Sequence, residues 1–244
     1  MRGLAGLLLL GLATAGCVGP APQLATRTAP VDVQGHRGAR GLLPENTLPA
    51  FAAALDLGVS TLELDLGMSL DGALVVTHDP RVSGRICLGP GGERLPEPGP
   101  RVRELTLQQL QSYDCGRLNP DAERFPAPPR RNLPGTPMPT LGEVFELVRA
   151  HGDERVRFNV EVKVVPGSTD TPPVAAFVHA VIDELERQGM TARTTLQSFD
   201  WSALRIARQR APGLRTAALL AGDTISPAWQ AGLSLEELSL IHIS

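Results

Sequence analysis

Histidine and arginine residues that could act on a phosphate stand out in two short segments of this 244-residue chain. The first segment is Gly35-His36-Arg37-Gly38, and a second histidine follows in Thr77-His78-Asp79-Pro80. Histidine exchanges protons near neutral pH, and arginine offers a planar fork of donors to phosphate or carboxylate. Each segment alone is also compatible with an ordinary surface turn, so only the combination indicates a site.

Two further segments alternate charged and aliphatic residues: Leu62-Glu63-Leu64-Asp65-Leu66 and Asn159-Val160-Glu161-Val162-Lys163. Residues two apart share one face of a strand, so Glu63 should lie beside Asp65, and Glu161 beside Lys163. Carboxylates that close are costly without a positive partner, and a divalent cation with oxygen ligands would supply one. There is an alternative for each segment. The first could be an edge strand with a solvent-facing polar side, and the second could be a strand end held by a salt bridge.

Hydrophobic periodicity predicts the elements that position these segments. We expect strands over 31–35, 59–66, 73–77, 156–164, 194–198 and 214–220, and helices over 48–57, 104–113, 141–151, 174–188 and 202–210. Strands that alternate with helices indicate an α/β fold with a parallel sheet, which places ligands at the carboxyl ends of its strands. The connection between the second and third strands is too short for a helix, so a hairpin is expected there, with Asp71-Gly72 as its turn.

Residues 81–139 interrupt this rhythm with a proline- and glycine-rich stretch, which we interpret as an insertion on the main fold. The stretch contains Cys87 and Cys115. In an exported chain these two cysteines are expected to form a disulfide. Two unpaired buried thiols are the alternative.

Both ends of the chain are expected to lie outside the folded domain. Residues 1–16 carry one arginine and an apolar run too short to span a bilayer, which predicts a signal peptide. Cys17 ends a segment that resembles a bacterial lipobox, so we expect an exported lipoprotein, periplasmic or held at the membrane by a lipid on Cys17. A plain secretory signal with an incidental cysteine is the alternative. Residues 17–30 would form a tether.

The last seven residues, 238–244, resemble the translation of a sequencing adapter. We interpret them as a non-native tail, with a genuine terminal strand as the alternative. Net charge is −3 and aromatic residues make up 4% of the chain, so nothing indicates a nucleic-acid partner.

In chain order, these segments resemble the glycerophosphodiester phosphodiesterase family. Pro44-Glu45-Asn46-Thr47 and Gln197-Ser198-Phe199 extend the resemblance, which covers residues 31–220. The family implies an α/β fold of the (β/α)₈ TIM-barrel type over 31–237, with an insertion after strand 3. Because only six strands are predicted here, the last one or two βα units of the barrel are expected to be missing.

The resemblance also implies roles for individual residues. The acid/base pair would be His36 and His78. The metal ligands would be Glu63, Asp65 and Glu161, for Ca²⁺ or Mg²⁺. The phosphate and substrate contacts would be Arg37, Lys163, Glu45, Asn46, Gln197 and Phe199.

The implied reaction is metal-dependent hydrolysis of a glycerophosphodiester, such as glycerophosphocholine, to glycerol 3-phosphate and an alcohol. A related phosphodiesterase that acts on intact phospholipids, as sphingomyelinase D does, is the alternative enzyme. A phosphodiester-binding lipoprotein is disfavoured, because binding alone would not require two histidines. An inactive fragment is a further alternative.

Overall fold

Six strands form one sheet in the computed structural model, which describes residues 31–118, 130–222 and 224–233. The strands are β1 Gln34–His36, β2 Thr61–Met68, β3 Leu74–Val76, β4 Arg157–Val162, β5 Thr194–Ser198 and β6 Arg215–Ala218. Their order is β1-β2-β4-β5-β6, with every neighbouring pair parallel, and β3 pairs antiparallel with β2. The predicted α/β class with a parallel sheet is confirmed, and the described residues supply six strands of the expected barrel.

Most of the helices lie where they were predicted, and most begin at a capping residue. They are α1 Leu48–Asp56, α2 Leu107–Leu110, α3 Leu141–His151, α4 Val174–Gln188, α5 Trp201–Arg210 and α6 Pro227–Gln230. Thr140 starts α3 with a capping box to Glu143, and Gly152 ends the helix with left-handed backbone. Such caps satisfy the free backbone groups of a helix end, which is why the sequence marks these boundaries well.

The aliphatic residues of the alternating segments form the centre of the core. Leu62, Leu64 and Leu66 of β2 are fully buried, as are Val160 and Val162 of β4. Burying a leucine side chain contributes about 1.5–3 kcal/mol. Because side chains alternate along a strand, this burial directs the charged residues of β2 and β4 to the opposite face of the sheet.

The hairpin between β2 and β3 is confirmed, and it brings the chain back to the charged residues. Leu66 pairs with Val162 of β4 and with Val76 of β3. The returning strand then reaches Thr77, whose backbone N–H donates to the Asp65 carbonyl at 3.0 Å. An antiparallel return thus places His78, the next residue, at the level of Asp65 without a crossover helix.

The described part of the insertion packs with Val75 of β3 into a second, smaller hydrophobic cluster around a disulfide. Cys87 and Cys115 are joined with an S–S distance of 2.06 Å. The cluster's buried residues are Val75, Val82, Cys87, Val102, Leu110, Cys115 and Met138. A covalent link and a small apolar cluster together stabilise a stretch that has little regular secondary structure.

One predicted helix is wrong in extent. The segment 104–113 starts at the last residue of a 3₁₀ turn over Val102–Glu104 and then contains only the four-residue α2. Thr106 lies between them with extended backbone and caps α2 through its side chain, so the periodicity continues across a break. A residue that caps one helix cannot belong to the interior of another.

The predicted signal peptide, Cys17, the tether and the tail at 238–244 lie outside the described residues. Within the part of the chain that the structure covers, none of the helices combines the length and the apolar character needed to cross a bilayer.

Candidate active site

Three buried carboxylates meet where β2 and β4 lie side by side. Asp65 is paired in register with Glu161, and Glu63 lies two residues earlier on the same face of β2. One carboxylate oxygen from each residue lies within 4.8 Å of the others. Parallel pairing of two alternating strands is sufficient to bring the predicted acidic residues together.

Glu63 holds the least favourable charge of the three. Its two oxygens accept from the Arg37 backbone N–H at 2.9 Å and from Gln197 Nε2 at 3.1 Å. Even so, burial raises the pKa of Glu63 to about 8, and the nearby charge of Asp65 adds to the rise. His36 Nε2 lies 3.8 Å from the same carboxylate.

Asp65 is the best neutralised of the three. Lys163 Nζ lies 3.5 Å from one oxygen, Arg37 Nε lies 3.3 Å from the other, and Asn46 Nδ2 donates at 3.1 Å. Burial alone would raise the pKa of Asp65, but Lys163, His78 and Arg37 outweigh it, and the pKa is lowered. This aspartate is therefore the ionised centre of the cluster.

Glu161 shares the ammonium group of Lys163, which donates to it at 3.0 Å. Burial and the charge of Asp65 nevertheless raise the pKa of Glu161 against the opposing effect of Lys163. The cluster therefore has more carboxylates than the surrounding cations neutralise.

The two arginines near the cluster also pair with a fourth acid, Glu45. Arg37 donates to Glu45 Oε1 at 2.8 Å, and Arg40 lies 3.2 Å from Glu45 Oε2. In addition, the buried Asn46 Oδ1 makes no hydrogen bond, although its amide nitrogen contacts Asp65. Three close carboxylates and an unsatisfied amide oxygen fit a hard divalent cation, which binds oxygen ligands.

Two left-handed residues build the loop that holds Arg37. Arg37 has φ +53° and Asn46 has φ +55°, and the Asn46 backbone N–H donates to the Arg37 carbonyl at 3.0 Å. Gly38, at φ +76°, packs so closely on α1 that a Cβ would lie 2.7 Å from the Ala50 carbonyl carbon. Left-handed backbone costs about 1–2 kcal/mol for a residue with a side chain, so this loop holds its arginine and asparagine in a strained but defined position.

The two histidines border different carboxylates. His78 Nδ1 lies 2.7 Å from Asp79 Oδ1, and His78 acts electrostatically on Asp65. The His36 side chain is 55% exposed, and burial together with Arg37 and Arg40 lowers its pKa. A neutral imidazole at pH 7 can accept a proton, so His36 suits a base in the resting protein.

The last predicted residues lie on the β5 side of the cluster. Gln197 is buried and bonds Glu63, while the Phe199 ring lies 5.9 Å from Lys163 Nζ. The sequence prediction missed Arg40, which lies three residues after Arg37 and completes the double ion pair of Glu45. The sequence signal for Arg40 was its position in the same glycine-rich loop as Arg37. Its pairing with Glu45 depends on how that loop folds, so the sequence alone does not show it.

Comparison with known proteins decides the family. The model of the glycerophosphoryl diester phosphodiesterase family matches residues 36–241, which is most of the chain. The chain belongs to this family. A glycerophosphodiester phosphodiesterase of Caldanaerobacter subterraneus subsp. tengcongensis is 31% identical over 212 residues, covering 85% of this chain and 74% of that protein. One from Bacillus subtilis is 27% identical over 201 residues, covering 81% of this chain and 62% of that protein.

Solved structures agree with this family assignment. A protein of Silicibacter pomeroyi DSS-3, provisionally named a glycerophosphoryl diester phosphodiesterase, is 36% identical with a TM-score of 0.70, covering 78% of this chain and 64% of that chain. A phosphodiesterase of Oleispira antarctica, solved with its product sn-glycerol-3-phosphate, shares the fold at 22% identity and a TM-score of 0.60. That match covers 86% of this chain and 80% of the other.

Proposed function

We propose that this family member hydrolyses glycerophosphodiesters, such as glycerophosphocholine, to glycerol 3-phosphate and an alcohol. One observation carries the proposal above the others: three buried carboxylates lie beside two histidines, an arginine and a lysine at the ends of adjacent strands. Family membership supports the same reaction.

Glu63, Asp65 and Glu161 would hold the divalent ion. All three offer oxygen ligands, so Mg²⁺ and Ca²⁺ are the expected metals. When bound, such an ion neutralises phosphate charge as a Lewis acid and lowers the excess negative charge of the cluster.

Arg37 and Lys163 would bind the phosphate oxygens from opposite sides of Asp65. Both cations already contact Asp65, at 3.3 and 3.5 Å, so their side chains converge on one point. Cations fixed in this way stabilise the charge that develops on phosphate without reorganising during the reaction. Glu45 and Asn46 would act indirectly, since they orient Arg37 and Asp65.

His36 and His78 would move the protons. Hydrolysis breaks the bond between phosphorus and the alcohol oxygen, adds a hydroxyl to phosphorus and returns one proton to the alcohol. One histidine would take the proton of the nucleophile and the other would supply the proton of the leaving group. The nucleophile is water or the 2-hydroxyl of the substrate's own glycerol, and the latter would give a cyclic phosphate that water then opens.

The test is release of glycerol 3-phosphate from glycerophosphocholine, with and without a chelator. His36→Ala and His78→Ala are each expected to lower kcat by about 10²–10⁴-fold, the usual contribution of a general acid or base. His179→Ala, at an exposed position on α4, is the matched control and should keep full activity.

Two outcomes would contradict the proposal. Near-wild-type turnover by either histidine variant would remove that histidine from the acid/base pair. Release of choline from lysophosphatidylcholine, with no activity on glycerophosphocholine, would favour the phospholipid-directed enzyme instead.

Export and lipid anchoring complete the proposal. A lipid on Cys17 would hold the enzyme at a membrane, where phospholipid breakdown supplies glycerophosphodiesters. Mass spectrometry of the purified N-terminus would test this: a diacylglyceryl mass on Cys17 supports anchoring, and an unmodified cleaved end contradicts it.

A further inference from the structure

A polar cleft opens beside the carboxylate cluster, between the loop after β1 and the insertion. Its volume is about 200 Å³, and it is lined by Arg37, Arg40, Glu45, His78, Asp79, Ser83, Arg85 and Ile86. A cleft of this size and polarity suits a small head group rather than an acyl chain. Three of its eight lining residues are arginines, so positive charge is its main chemical feature.

Both acids of the cleft already have partners among the other lining residues. Glu45 lies between Arg37 and Arg40, at 2.8 and 3.2 Å, and Asp79 lies 2.7 Å from His78. Arg85, by contrast, makes no hydrogen bond or ion pair with any described residue, and its side chain is exposed. Its guanidinium is therefore the one positive charge of the lining without a protein partner in the described part of the chain.

The backbone holds Arg85 at this position. The Ser83 carbonyl accepts from the backbone N–H groups of Ile86 and Cys87, at 3.0 and 2.9 Å, which closes a turn around Arg85. Cys87 is disulfide-bonded to Cys115. A fixed turn reduces the entropy that the arginine backbone would lose on contacting a ligand.

We propose that Arg85 is a specificity-determining residue, which favours diesters whose alcohol moiety carries a further anionic group, a carboxylate or a second phosphate. The guanidinium fork binds either group through paired N–H donors, and the Ser83 hydroxyl lies in the same wall. This inference rests on the proposed function and specifies which alcohols the site selects.

The side of the sheet on which the cleft lies, together with its charge, leads us to assign it to the alcohol rather than to the glycerol. β1 and β3 border β2 on one side, while β4 and β5 lie on the other. The cleft and Arg85 are on the first side, and Lys163, Gln197 and Phe199 are on the second. Glycerol is uncharged and common to every substrate, so it gains nothing from an additional arginine, whereas an anionic head group does.

Two pairs of substrates isolate the charge. Glycerophosphoserine differs from glycerophosphoethanolamine by one carboxylate, and bis(glycerophospho)glycerol differs from glycerophosphoglycerol by a second phosphate diester arm. We expect the wild type to prefer the more anionic member of each pair in kcat/KM. Arg85→Gln should reduce that preference about fivefold, the upper range for an exposed ion pair, with little change for the less anionic member.

Arg94→Gln is the matched control, because Arg94 is also exposed on the insertion but does not line the cleft. Dissociation constants of the same four diesters are measured by calorimetry on a His36→Ala background, which leaves the cleft lining unchanged, with Mg²⁺ and with Ca²⁺ in separate titrations. The binding ratios then test Arg85 even where turnover is absent.

The outcomes separate the two proposals. No hydrolysis of any diester, with binding ratios that still depend on Arg85, contradicts the proposed reaction and supports the role of Arg85. Hydrolysis with equal preferences in the wild type and Arg85→Gln, or an equal effect of Arg94→Gln, overturns the role of Arg85 and leaves the reaction intact.

Discussion

Two groups of charged residues in this molecule differ in how well their acids are neutralised. In the strand cluster, Glu63, Asp65 and Glu161 are buried, and the pKa of Glu63 is raised to about 8. In the loop after β4, a single acid, Asp170, lies 2.7 Å from Arg81 and 2.6 Å from Arg101. Hydrogen bonds from these two arginines lower the pKa of Asp170 to about 2.

The difference separates a binding site from a structural contact. Asp170 contacts two cations directly, and it ties the loop after β4 to the insertion without needing a further partner. The strand cluster has excess acid, and burial makes that excess costly, so an added cation would stabilise it. Perturbed acids in a cleft indicate function. What distinguishes the strand cluster is that two of its acids, Glu63 and Glu161, have raised pKa values, whereas the pKa of Asp170 is lowered.

The largest expected effect comes from removing one acid of the strand cluster. Glu63→Gln deletes a proposed metal ligand and is expected to lower kcat/KM by at least about 100-fold. The same change removes a buried like charge, and Gln197 can turn its amide to accept from the new amide. We therefore expect the melting temperature of the metal-free protein at pH 8 to rise by about 3 °C.

Glu146→Gln, at an exposed position on α3, should change neither activity nor melting temperature. A metal-free Glu63→Gln protein that is less stable than the wild type would contradict the view that this carboxylate is held at a cost.

An intermediate effect is expected from pH in the presence of a chelator. The folded-state pKa of Glu63 lies near 8, above its ordinary value of 4.5. Between these values the folded protein binds more protons than the unfolded chain, so its stability falls as pH rises through this window. The melting temperature of the chelated wild type should therefore be lower at pH 8 than at pH 5.

Added Mg²⁺ or Ca²⁺ should restore more stability at pH 8 than at pH 5, because the metal binds the deprotonated ligands. In Glu63→Gln the slope between these pH values should flatten. An equal slope in both proteins would mean that Glu63 does not carry the pH dependence.

The sequence predicted the strand cluster well because its signals are local. Strict alternation in β2 and β4 determines which face each charge occupies, and the capping residues determine the exact bounds of α3. The hairpin after β2 followed from the length of the connection alone. These features depend on residues only a few positions apart, where backbone geometry leaves few choices.

What the sequence did not predict depends on distant residues. The bond from Asn46 to Asp65 and the pairing of Arg40 with Glu45 depend on how the loop after β1 folds on α1. The contact of Asp170 with Arg101 joins residues 69 positions apart. The extent of the helix predicted over 104–113 was wrong because helical periodicity continued on both sides of the cap at Thr106.

The smallest effect is expected at Asp170. The comparison predicts that this residue contributes to the stability of the fold but not to the enzymatic activity. Asp170→Asn should keep kcat/KM within about twofold and lower the melting temperature at pH 7 by about one or two degrees, as for an exposed ion pair. Because the folded pKa near 2 lies below the ordinary 3.8, the contribution of Asp170 is present above pH 3.8 and lost as pH falls toward 2. The difference in melting temperature between the wild type and Asp170→Asn should therefore shrink between pH 4 and pH 3.

The control is Glu104→Gln, which removes the other, more exposed partner of Arg101. It should leave kcat/KM and the melting temperature unchanged. A large loss of activity in Asp170→Asn with unchanged melting would place Asp170 in the site and end the distinction between the two groups.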